Sequence, residues 1–270
     1  MAPSQEAAPT IHHLFDLSGK SALVTGASGW LGSSFAQALA EAGASVVTSS
    51  RDLKRAQDAA TVLPSPKGAT HHGVQLDHME VKSLTNGFEE AVAVADKLDI
   101  LVINGLELSG KDLTNISFEE FARHQVNNAG YFELARLGRD HAVDRGAPAT
   151  IIVIGSMYGM VGSYPDAYEG VFNASPVAYH ALKGGTIHLT RHLAVYWAKD
   201  NVRVNCISPG PFPIDGMVPE EMVNRLSNKS PMKRIGRPHE LKGALMLLAS
   251  DAGSYITGQN IVVDGGWTAW

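Results

Sequence analysis

The chain has 270 residues, of which 44% are apolar and 18% are charged, and its formal net charge is -5. This length suffices for a substantial core, and open α/β folds often use it as one domain. The mixed charge, slightly negative overall, argues against a polyanion-binding surface, so we expect no nucleic-acid partner. Cys206 is the only cysteine. The fold therefore cannot rest on disulfides, and a reducing compartment is expected.

The first 13 residues are rich in Ala, Pro and polar residues and lack the basic start and apolar run of a secretory signal. No apolar run reaches the roughly 18 residues of a membrane span. We expect a flexible tail over 1–17, no membrane partner and a cytoplasmic location.

In chain order, short β-branched runs alternate with segments of helical periodicity, which is typical of repeated strand-helix-strand units. The predicted strands are 21–25, 45–49, 73–76, 100–103, 150–154, 202–207 and 261–263. The predicted helices are 33–42, 53–63, 81–94, 118–145, 178–198 and 239–249. This pattern predicts an α/β fold: a Rossmann-type, doubly wound parallel sheet of about seven strands with helices on both faces. We expect one dinucleotide-binding catalytic domain over 18–270.

A glycine-rich loop, TGASGWLG over 25–32, follows the first strand and precedes a helix. Gly26 permits a tight turn, Gly29 lets the backbone approach a pyrophosphate, and Gly32 allows close helix packing, while the helix N-terminus faces the anion. The alternative is an ordinary strand-to-helix turn. The cofactor-binding residues predicted in this loop are Gly26, Ser28, Gly29, Trp30, Leu31 and Gly32.

The ends of the second and third strands bear on the choice of cofactor. Ser50 occupies the place where an acid would accept the ribose hydroxyls of NAD, and Arg51 offers a cation to a 2′-phosphate. NADP is therefore the predicted cofactor, with NAD possible, unless Arg51 is only a solvated residue at a helix start. Asp77 either accepts from the adenine amino group or caps the next helix.

Tyr179 and Lys183 are four residues apart near the start of a long predicted helix and therefore project from one face. A phenol titrates near about 10, and a neighbouring ammonium, aided by the positive charge of an oxidised nicotinamide, is a source of acidification. Such a phenol acts as general base for alcohol oxidation and as general acid for ketone reduction. Ser156, after the fifth strand, places a hydroxyl at the carboxyl edge of the sheet.

Together these features resemble the short-chain dehydrogenase/reductase family, specifically its smaller single-domain branch. The resemblance runs from about residue 18 to 270 through TGASGWLG, the strand end at Asn104 and Gly105, YHALK, NCISPGP, GRPHE and YITGQNIVVDGG. It implies a catalytic group and further cofactor contacts. The catalytic group would be Asn127, Ser156, Tyr179 and Lys183, and cofactor contacts would include Asp77, Asn104, Gly105, Tyr179, Lys183, Pro209, Gly210 and Phe212. Asn127 would hold a water linking Lys183 to solvent, and Lys183 would grip the nicotinamide ribose.

The sequence departs from the family pattern at three places. Trp30 stands where the smaller branch usually has glycine, so an indole is expected near the nicotinamide. Only one asparagine, Asn104, is kept at the fourth strand end, and the similar string at 127–130 lies inside a predicted helix. Ser156 and Tyr179 are 23 positions apart, about ten more than the family usually shows.

The extra residues form a predicted active-site insertion over 158–175. Its polar side chains would hydrogen-bond a polyhydroxylated or otherwise polar substrate, unless the segment is an ordinary surface excursion or an oligomer contact. Those side chains are Tyr164, Asp166, Tyr168, Glu169 and Asn173. A lid is predicted over 211–231, with 213–226 as its mobile part. We read Cys206 as core packing, and the eleven histidines show no metal-ligand spacing.

The predicted function is an NADP(H)-preferring oxidoreductase that interconverts a secondary alcohol and a ketone of a small polar compound. The C-terminal segment resembles gluconate-type dehydrogenases and 3-oxoacyl-carrier reductases. The alternatives are a non-catalytic dinucleotide-sensing protein and, from the glycine spacing, an epimerase or dehydratase that retains NAD. By analogy with the family we expect a homotetramer or homodimer formed through the helices at 118–145 and 178–198.

Overall fold

A single parallel sheet organises the chain, and the computed structural model describes residues 8–108, 110–171, 173 and 175–270. The strands of the described chain are β1 (Ser21–Thr25), β2 (Ser45–Ser50), β3 (His71–Gln75), β4 (Ile100–Ile103), β5 (Ala149–Ile154), β6 (Val202–Pro209) and β7 (Asn260–Val263). Their order in the sheet is β3-β2-β1-β4-β5-β6-β7, and every neighbouring pair is parallel. The chain leaves β1 toward β2 on one side and returns at β4 on the other. This reversal opens a crevice at the carboxyl ends of β1 and β4, where ligands of such sheets bind.

Helices cover both faces of the sheet. The α-helices of the described chain are α1 (Ile11–Leu14), α2 (Trp30–Glu41), α3 (Leu53–Thr61), α4 (Val81–Ala95), α5 (Phe118–Asp144), α6 (Pro165–Tyr168), α7 (Val177–Trp197), α8 (Glu220–Lys229) and α9 (Lys242–Ala249). Short 3-10 helices are found at Pro66–Gly68, Met157–Gly159, Ala198–Asp200, Pro238–Leu241 and Asp251–Gly253.

The core consists of two apolar layers separated by the sheet. One layer packs α4, α5 and α7 on the strands, with Phe88, Leu134 and Leu182 among its buried side chains. The other packs α2 and α9 on the opposite face, with Phe35 and Leu245. The doubly wound α/β fold predicted from the sequence is therefore confirmed.

All seven strands form where they are predicted, with ends that differ by at most two residues. Helix α2 begins three residues earlier than predicted, because Gly29 is extended and Trp30 already takes helical geometry. The predicted helix at 239–249 is divided into a 3-10 helix, Pro238–Leu241, followed by α9. Helices α1, α6 and α8 were not predicted.

The predicted tail over 1–17 lies partly outside the described residues, whose first member is residue 8. Ile11–Leu14 form α1, and the side chain of Leu17 is buried in the layer that contains α2. No helix in the described ranges has the length and apolar character needed to cross a membrane.

Candidate active site

The glycine loop between β1 and α2 is a backbone cradle. Gly26 has a φ of +63°, which favours glycine, and its carbonyl accepts from the Gly29 N–H at 3.0 Å. A Cβ at Gly32 would lie 2.2 Å from the Gly26 oxygen. Helix α2 begins at Trp30 without a side-chain hydrogen bond at its N-cap, Gly29. Its first N–H groups therefore remain available to an anion.

Asn104 holds the loop from below. Its backbone N–H donates to Thr25 Oγ1 at 2.9 Å, and its Nδ2 donates to the carbonyls of Thr25 and Gly26 at 3.2 and 3.3 Å. The Gly105 N–H also donates to Thr25 Oγ1, at 3.0 Å. The amide of Asn104 thus fixes the ends of β1 and β4 relative to each other.

Arg51, at the end of β2, remains largely in solvent. Its side chain is 66% exposed, and Nη1 lies 4.0 Å from the carboxylate of Glu107. Glu107 also accepts two hydrogen bonds from Arg123, at 2.7 and 2.9 Å, which holds its pKa below the usual range. Ser50 Oγ accepts from the backbone N–H of Asp52. An exposed guanidinium at this strand end can meet a phosphate without breaking a buried ion pair.

Asp77 forms a local turn after β3. Its Oδ1 accepts from the Met79 N–H at 3.0 Å, while its own N–H donates to Ser83 Oγ at 3.0 Å. Asp77 does not cap α4, whose N-cap is Glu80, so the capping alternative is wrong, and the adenine contact stays a prediction.

The residues present fit a dinucleotide. An added Cβ would lie 2.2 Å from the Gly26 oxygen at Gly32 and 3.0 Å from Gly105 Cα at Gly26, so this tight turn requires glycine, and the open start of α2 points to a pyrophosphate. The glycine loop would hold the pyrophosphate and Arg51 would face the 2′-phosphate of NADP. When bound, the nicotinamide supplies the carbon that gives or takes a hydride.

A cavity of about 320 Å³ opens at the carboxyl ends of β5 and β6, beside the glycine loop. It brings together Leu31, Asn104, Ser156, Tyr179, Lys183, Pro209, Gly210 and Phe212, all of which were predicted from the sequence. Gly210 follows β6 where a Cβ would lie 2.6 Å from Asp264 Cα, so the chain passes closely there. Further lining side chains come from the insertion and the lid, namely Tyr158, Tyr168, Val218, Met222 and Leu226.

Lys183 and Tyr179 lie one turn apart on α7, as their spacing predicts. Lys183 Nζ donates to the Ile154 carbonyl at 2.6 Å and lies 5.7 Å from the centre of the Tyr179 ring. It also lies 5.5 Å from the centre of the Tyr131 ring. Burial lowers the pKa of Lys183 to about 8. The ammonium is thus buried and held by a carbonyl and two aromatic faces.

Burial raises the pKa of Tyr179 above its ordinary value, and the neighbouring Ser156 hydroxyl only opposes that rise. Two positive charges were considered from the sequence as causes of a lower Tyr179 pKa: the Lys183 ammonium and an oxidised nicotinamide. In the chain by itself, the Lys183 ammonium does not lower the pKa of Tyr179 below its ordinary value. Ser156 Oγ also accepts from the Tyr158 N–H at 3.1 Å, which fixes its position at the start of the Met157–Gly159 turn.

Asn127 is fully buried in α5, within the helical string 127–130 that was distinguished from the strand-end motif. Its Oδ1 accepts from the Glu107 N–H at 2.9 Å and pairs with His78 Nε2 at 2.8 Å. Its Nδ2 donates to the Glu107 and His124 carbonyls at 3.2 and 2.8 Å. These contacts join α5 to two loops beside the site. Asn127 does not line the cavity, so its predicted role in holding a water for Lys183 stays a prediction.

The insertion divides into side chains that face the cavity and side chains that do not. Tyr158 and Tyr168 line the cavity, and their hydroxyls are 2.5 Å apart. Asp166 pairs with Lys229 of α8 at 2.5 Å, and Tyr164 packs against Trp267 with ring centres 5.4 Å apart. Asn173 is exposed, as is Glu169, whose carbonyl accepts from Arg225. Of the five polar side chains proposed to meet substrate, only Tyr168 lines the cavity.

The insertion and the lid share an apolar cluster above the cavity, which we call the roof cluster. Its buried members are Met157, Ala167, Tyr168, Met222, Leu226 and Trp267. Tyr158 was not singled out from the sequence, although its position two residues after Ser156 was the available signal. Met222 and Leu226 were also not predicted to line the site, because they fall in a stretch without a clear helical or strand periodicity.

Trp30, expected near the nicotinamide, has a buried indole Nε1 without a hydrogen-bond partner in the structure.

Cys206 is buried, and burial raises its pKa to about 11, as expected of a thiol that packs in the core. Within the described residues, no group of three or more His, Cys, Asp or Glu side chains is arranged to hold a metal ion.

Comparison with known proteins agrees with this geometry. The family model described as enoyl-(acyl carrier protein) reductase matches residues 26–268. D-arabinitol 2-dehydrogenase (ribulose-forming) of Candida tropicalis is 33% identical, over 95% of each chain. A short-chain type dehydrogenase/reductase from Mycobacterium marinum has a crystal structure that superimposes with a TM-score of 0.86 at 33% identity, covering 97% of this chain and 100% of that one.

A gluconate 5-dehydrogenase from Burkholderia cenocepacia, solved in complex with NADP and tartrate, superimposes with a TM-score of 0.84 at 27% identity. The superposition covers 96% of this chain and 99% of the Burkholderia chain. The glycine cradle, the Tyr179–Lys183 pair and these matches lead to one conclusion. The chain belongs to the short-chain dehydrogenase/reductase family of NAD(P)-dependent oxidoreductases.

Proposed function

We propose that this protein is an NADP(H)-preferring oxidoreductase that interconverts a secondary alcohol and a ketone of a small polyol or ketose. The observation that carries the proposal is the placement of Ser156, Tyr179 and Lys183 around one cavity beside the glycine loop. Proton donor, substrate-orienting hydroxyl and cofactor cradle then meet at the carboxyl edge of the sheet.

In ketone reduction, the Tyr179 hydroxyl donates its proton to the substrate oxygen as that oxygen gains negative charge. In alcohol oxidation the Tyr179 phenolate takes the hydroxyl proton. The Ser156 hydroxyl donates a hydrogen bond to the same oxygen and holds it against Tyr179. The Lys183 ammonium, 5.7 Å from the Tyr179 ring, favours the phenolate together with the positive charge that an oxidised nicotinamide would add.

The relatives support the class of substrate, and Arg51 supports the cofactor. D-arabinitol 2-dehydrogenase is named for oxidation of a sugar alcohol, and the Burkholderia structure contains NADP. A guanidinium that is 66% exposed at the end of β2 is suited to a 2′-phosphate. No acidic side chain replaces Ser50 there to accept the ribose hydroxyls of NAD.

The test is a purified-protein assay with NADPH and NADH against ketoses, simple ketones and keto acids, run beside Tyr179→Phe. We expect NADPH oxidation with at least one neutral ketose and a loss of at least about 1000-fold in kcat for the variant. Wild-type turnover by Tyr179→Phe would refute the proposal. Cofactor binding with no turnover of any compound would favour a dinucleotide sensor, and NAD retained through purification would favour an epimerase or dehydratase.

We also propose that the protein is a cytoplasmic homotetramer or homodimer. Helices α5 and α7 pack on each other and leave large apolar side chains uncovered, including Phe132 (41% exposed), Val195 (77%) and Tyr196 (61%). Surfaces of this kind are typical of subunit contacts. Light scattering should give two or four times the 28.7 kDa chain mass, and Val195→Arg should lower it.

A further inference from the structure

Two phenols of the insertion form a polar spot on the wall of the cavity that the reaction itself does not use. The hydroxyls of Tyr158 and Tyr168 are 2.5 Å apart, and both side chains line the cavity that contains Ser156 and Tyr179. Two hydroxyls joined by one hydrogen bond keep unused lone pairs. A polar substrate group entering the cavity can therefore bond to this pair while its reacting carbon lies at Tyr179.

The pair is held in place from behind. The Ser175 hydroxyl beside Tyr168 opposes the rise in the pKa of that tyrosine, and Ser175 Oγ lies 2.9 Å from His180 Nε2. The ring of Tyr158 stacks on His180 with ring centres 4.6 Å apart and an interplanar angle of 26°. Because His180 is the neighbour of Tyr179 on α7, the insertion is fixed relative to the proton-transfer residue. Such support from a neighbouring layer is what a positioned binding group requires.

The pair is also electrically neutral. Burial and their mutual hydrogen bond raise the pKa of Tyr158, and burial raises that of Tyr168, so both remain protonated at neutral pH. Among the residues described as lining the cavity, Lys183 is the only cationic side chain, and its Nζ donates to the Ile154 carbonyl. The cations of α8 point elsewhere, since Lys229 pairs with Asp166 and Arg225 bonds to backbone carbonyls and Glu221.

We propose that Tyr158 and Tyr168 form a second hydroxyl-binding subsite, which makes the enzyme select neutral polyols and ketoses over sugar acids. A substrate hydroxyl both donates to and accepts from a phenol, whereas a carboxylate only accepts. A carboxylate buried against this wall would lose its water without gaining a cation, which is strongly unfavourable. The subsite specifies the substrate class of the proposed function and rests on that function.

The experiment compares NADPH-dependent reduction of three kinds of six-carbon compound: neutral ketoses (D-fructose and L-sorbose), 5-keto-D-gluconate and 2-hexanone. Tyr158→Phe and Tyr168→Phe remove each hydroxyl but keep the ring. Tyr164→Phe is the matched control, because Tyr164 belongs to the same insertion but packs against Trp267 instead of lining the cavity. Melting temperature and NADPH affinity report whether each variant is folded and holds cofactor.

We expect wild type to reduce the better ketose with a kcat/KM at least about tenfold above that for 5-keto-D-gluconate. Each subsite variant should lose about 10-fold or more in kcat/KM on the ketose, mainly through KM, with a loss on 2-hexanone several times smaller. Tyr164→Phe should match wild type on both.

Equal losses on ketose and 2-hexanone would overturn the subsite, as would preferred reduction of the keto acid or of 2-hexanone by wild type. Equal losses leave the proposed function standing, whereas a preference of wild type for the keto acid or 2-hexanone would keep the reaction type but overturn the proposed substrate class. If wild type binds NADPH but reduces none of the compounds, the proposed function falls and the subsite falls with it.

Discussion

The ammonium of Lys183 lies 5.7 Å from the centre of the Tyr179 ring while it donates to the Ile154 carbonyl at 2.6 Å. A strand end and a helix therefore fix the cation beside the phenol before any ligand arrives. Burial opposes the charge on both groups, because it lowers the pKa of the lysine and raises that of the tyrosine. The site therefore holds a buried ammonium, whose charge destabilises the fold at neutral pH, beside a phenol that burial keeps protonated.

Lys183→Met should stabilise the protein at neutral pH. The pKa of Lys183 is lowered from 10.5 to about 8, which corresponds to roughly 3 kcal/mol at most, and the lost hydrogen bond offsets about 1 kcal/mol. We expect the free energy of unfolding at pH 7 to rise by about 1–3 kcal/mol. Between pH 8 and 10.5 the folded wild type has already released a proton that the unfolded chain still binds. Wild-type stability therefore rises with pH in this window, and the difference in unfolding free energy between Lys183→Met and wild type should decrease.

Urea unfolding of wild type and Lys183→Met at pH 7 and pH 10 measures this gap. Lys54→Met, at an exposed position on α3, is the control and should show little change at either pH. A wild type more stable than Lys183→Met at pH 7 would contradict the expectation.

The two reaction directions should respond oppositely to pH. Burial raises the pKa of Tyr179, so its phenol is protonated at neutral pH in the free chain. Ketone reduction uses the protonated form, so its kcat/KM should stay level up to about pH 10 and fall above it, while that of alcohol oxidation should rise toward the same pH. Rates in both directions between pH 7 and 11 provide the measurement. A reduction rate that increases with pH would show that another group supplies the proton.

Arg51→Gln should weaken NADP binding more than NAD binding. Loss of one guanidinium that meets a 2′-phosphate typically costs about 1.5–3 kcal/mol, or about 10-fold to 100-fold in Kd. Lys54→Gln removes the same charge three residues further along and leaves Arg51 in place, so its Kd values should stay near those of wild type. Titration by cofactor fluorescence measures both. Equal weakening of NADP and NAD by Arg51→Gln would exclude the 2′-phosphate role.

Gly32→Ala should abolish cofactor binding and destabilise the fold, because the new Cβ would lie 2.2 Å from the Gly26 oxygen and 2.8 Å from Asn104 Nδ2. We expect a loss of more than about 2 kcal/mol in unfolding free energy. Gly243→Ala is the matched control in α9, where no atom lies within 4 Å of the added Cβ. Thermal unfolding of both variants, with and without NADPH, provides the measurement. Equal melting temperatures of Gly32→Ala and Gly243→Ala would show that the loop tolerates a side chain.

The sequence predicted the sheet well because buried parallel strands are short apolar runs whose ends are marked by turns. It also brought Ser156, Tyr179 and Lys183 together, since strand ends and helix starts meet at one edge of such a sheet. The sequence did not predict α8, whose apolar side chains Met222 and Leu226 pack against residues from distant segments, among them Met157 and Trp267. The bonds of Asn127 and the Tyr158–Tyr168 contact also depend on tertiary packing, which no local pattern encodes.

The roof cluster joins Met157, Leu226 and Trp267, three residues that are far apart in the chain. Tyr179 and Lys183 belong instead to α7, which packs directly on the sheet, and Ser156 follows the end of β5. Mutations accumulating in the roof can therefore reshape which compounds enter and leave, while the reactive groups keep their places. Because the residues that shape the cavity are separate from those that transfer the proton, the range of substrates can change while the reaction stays the same.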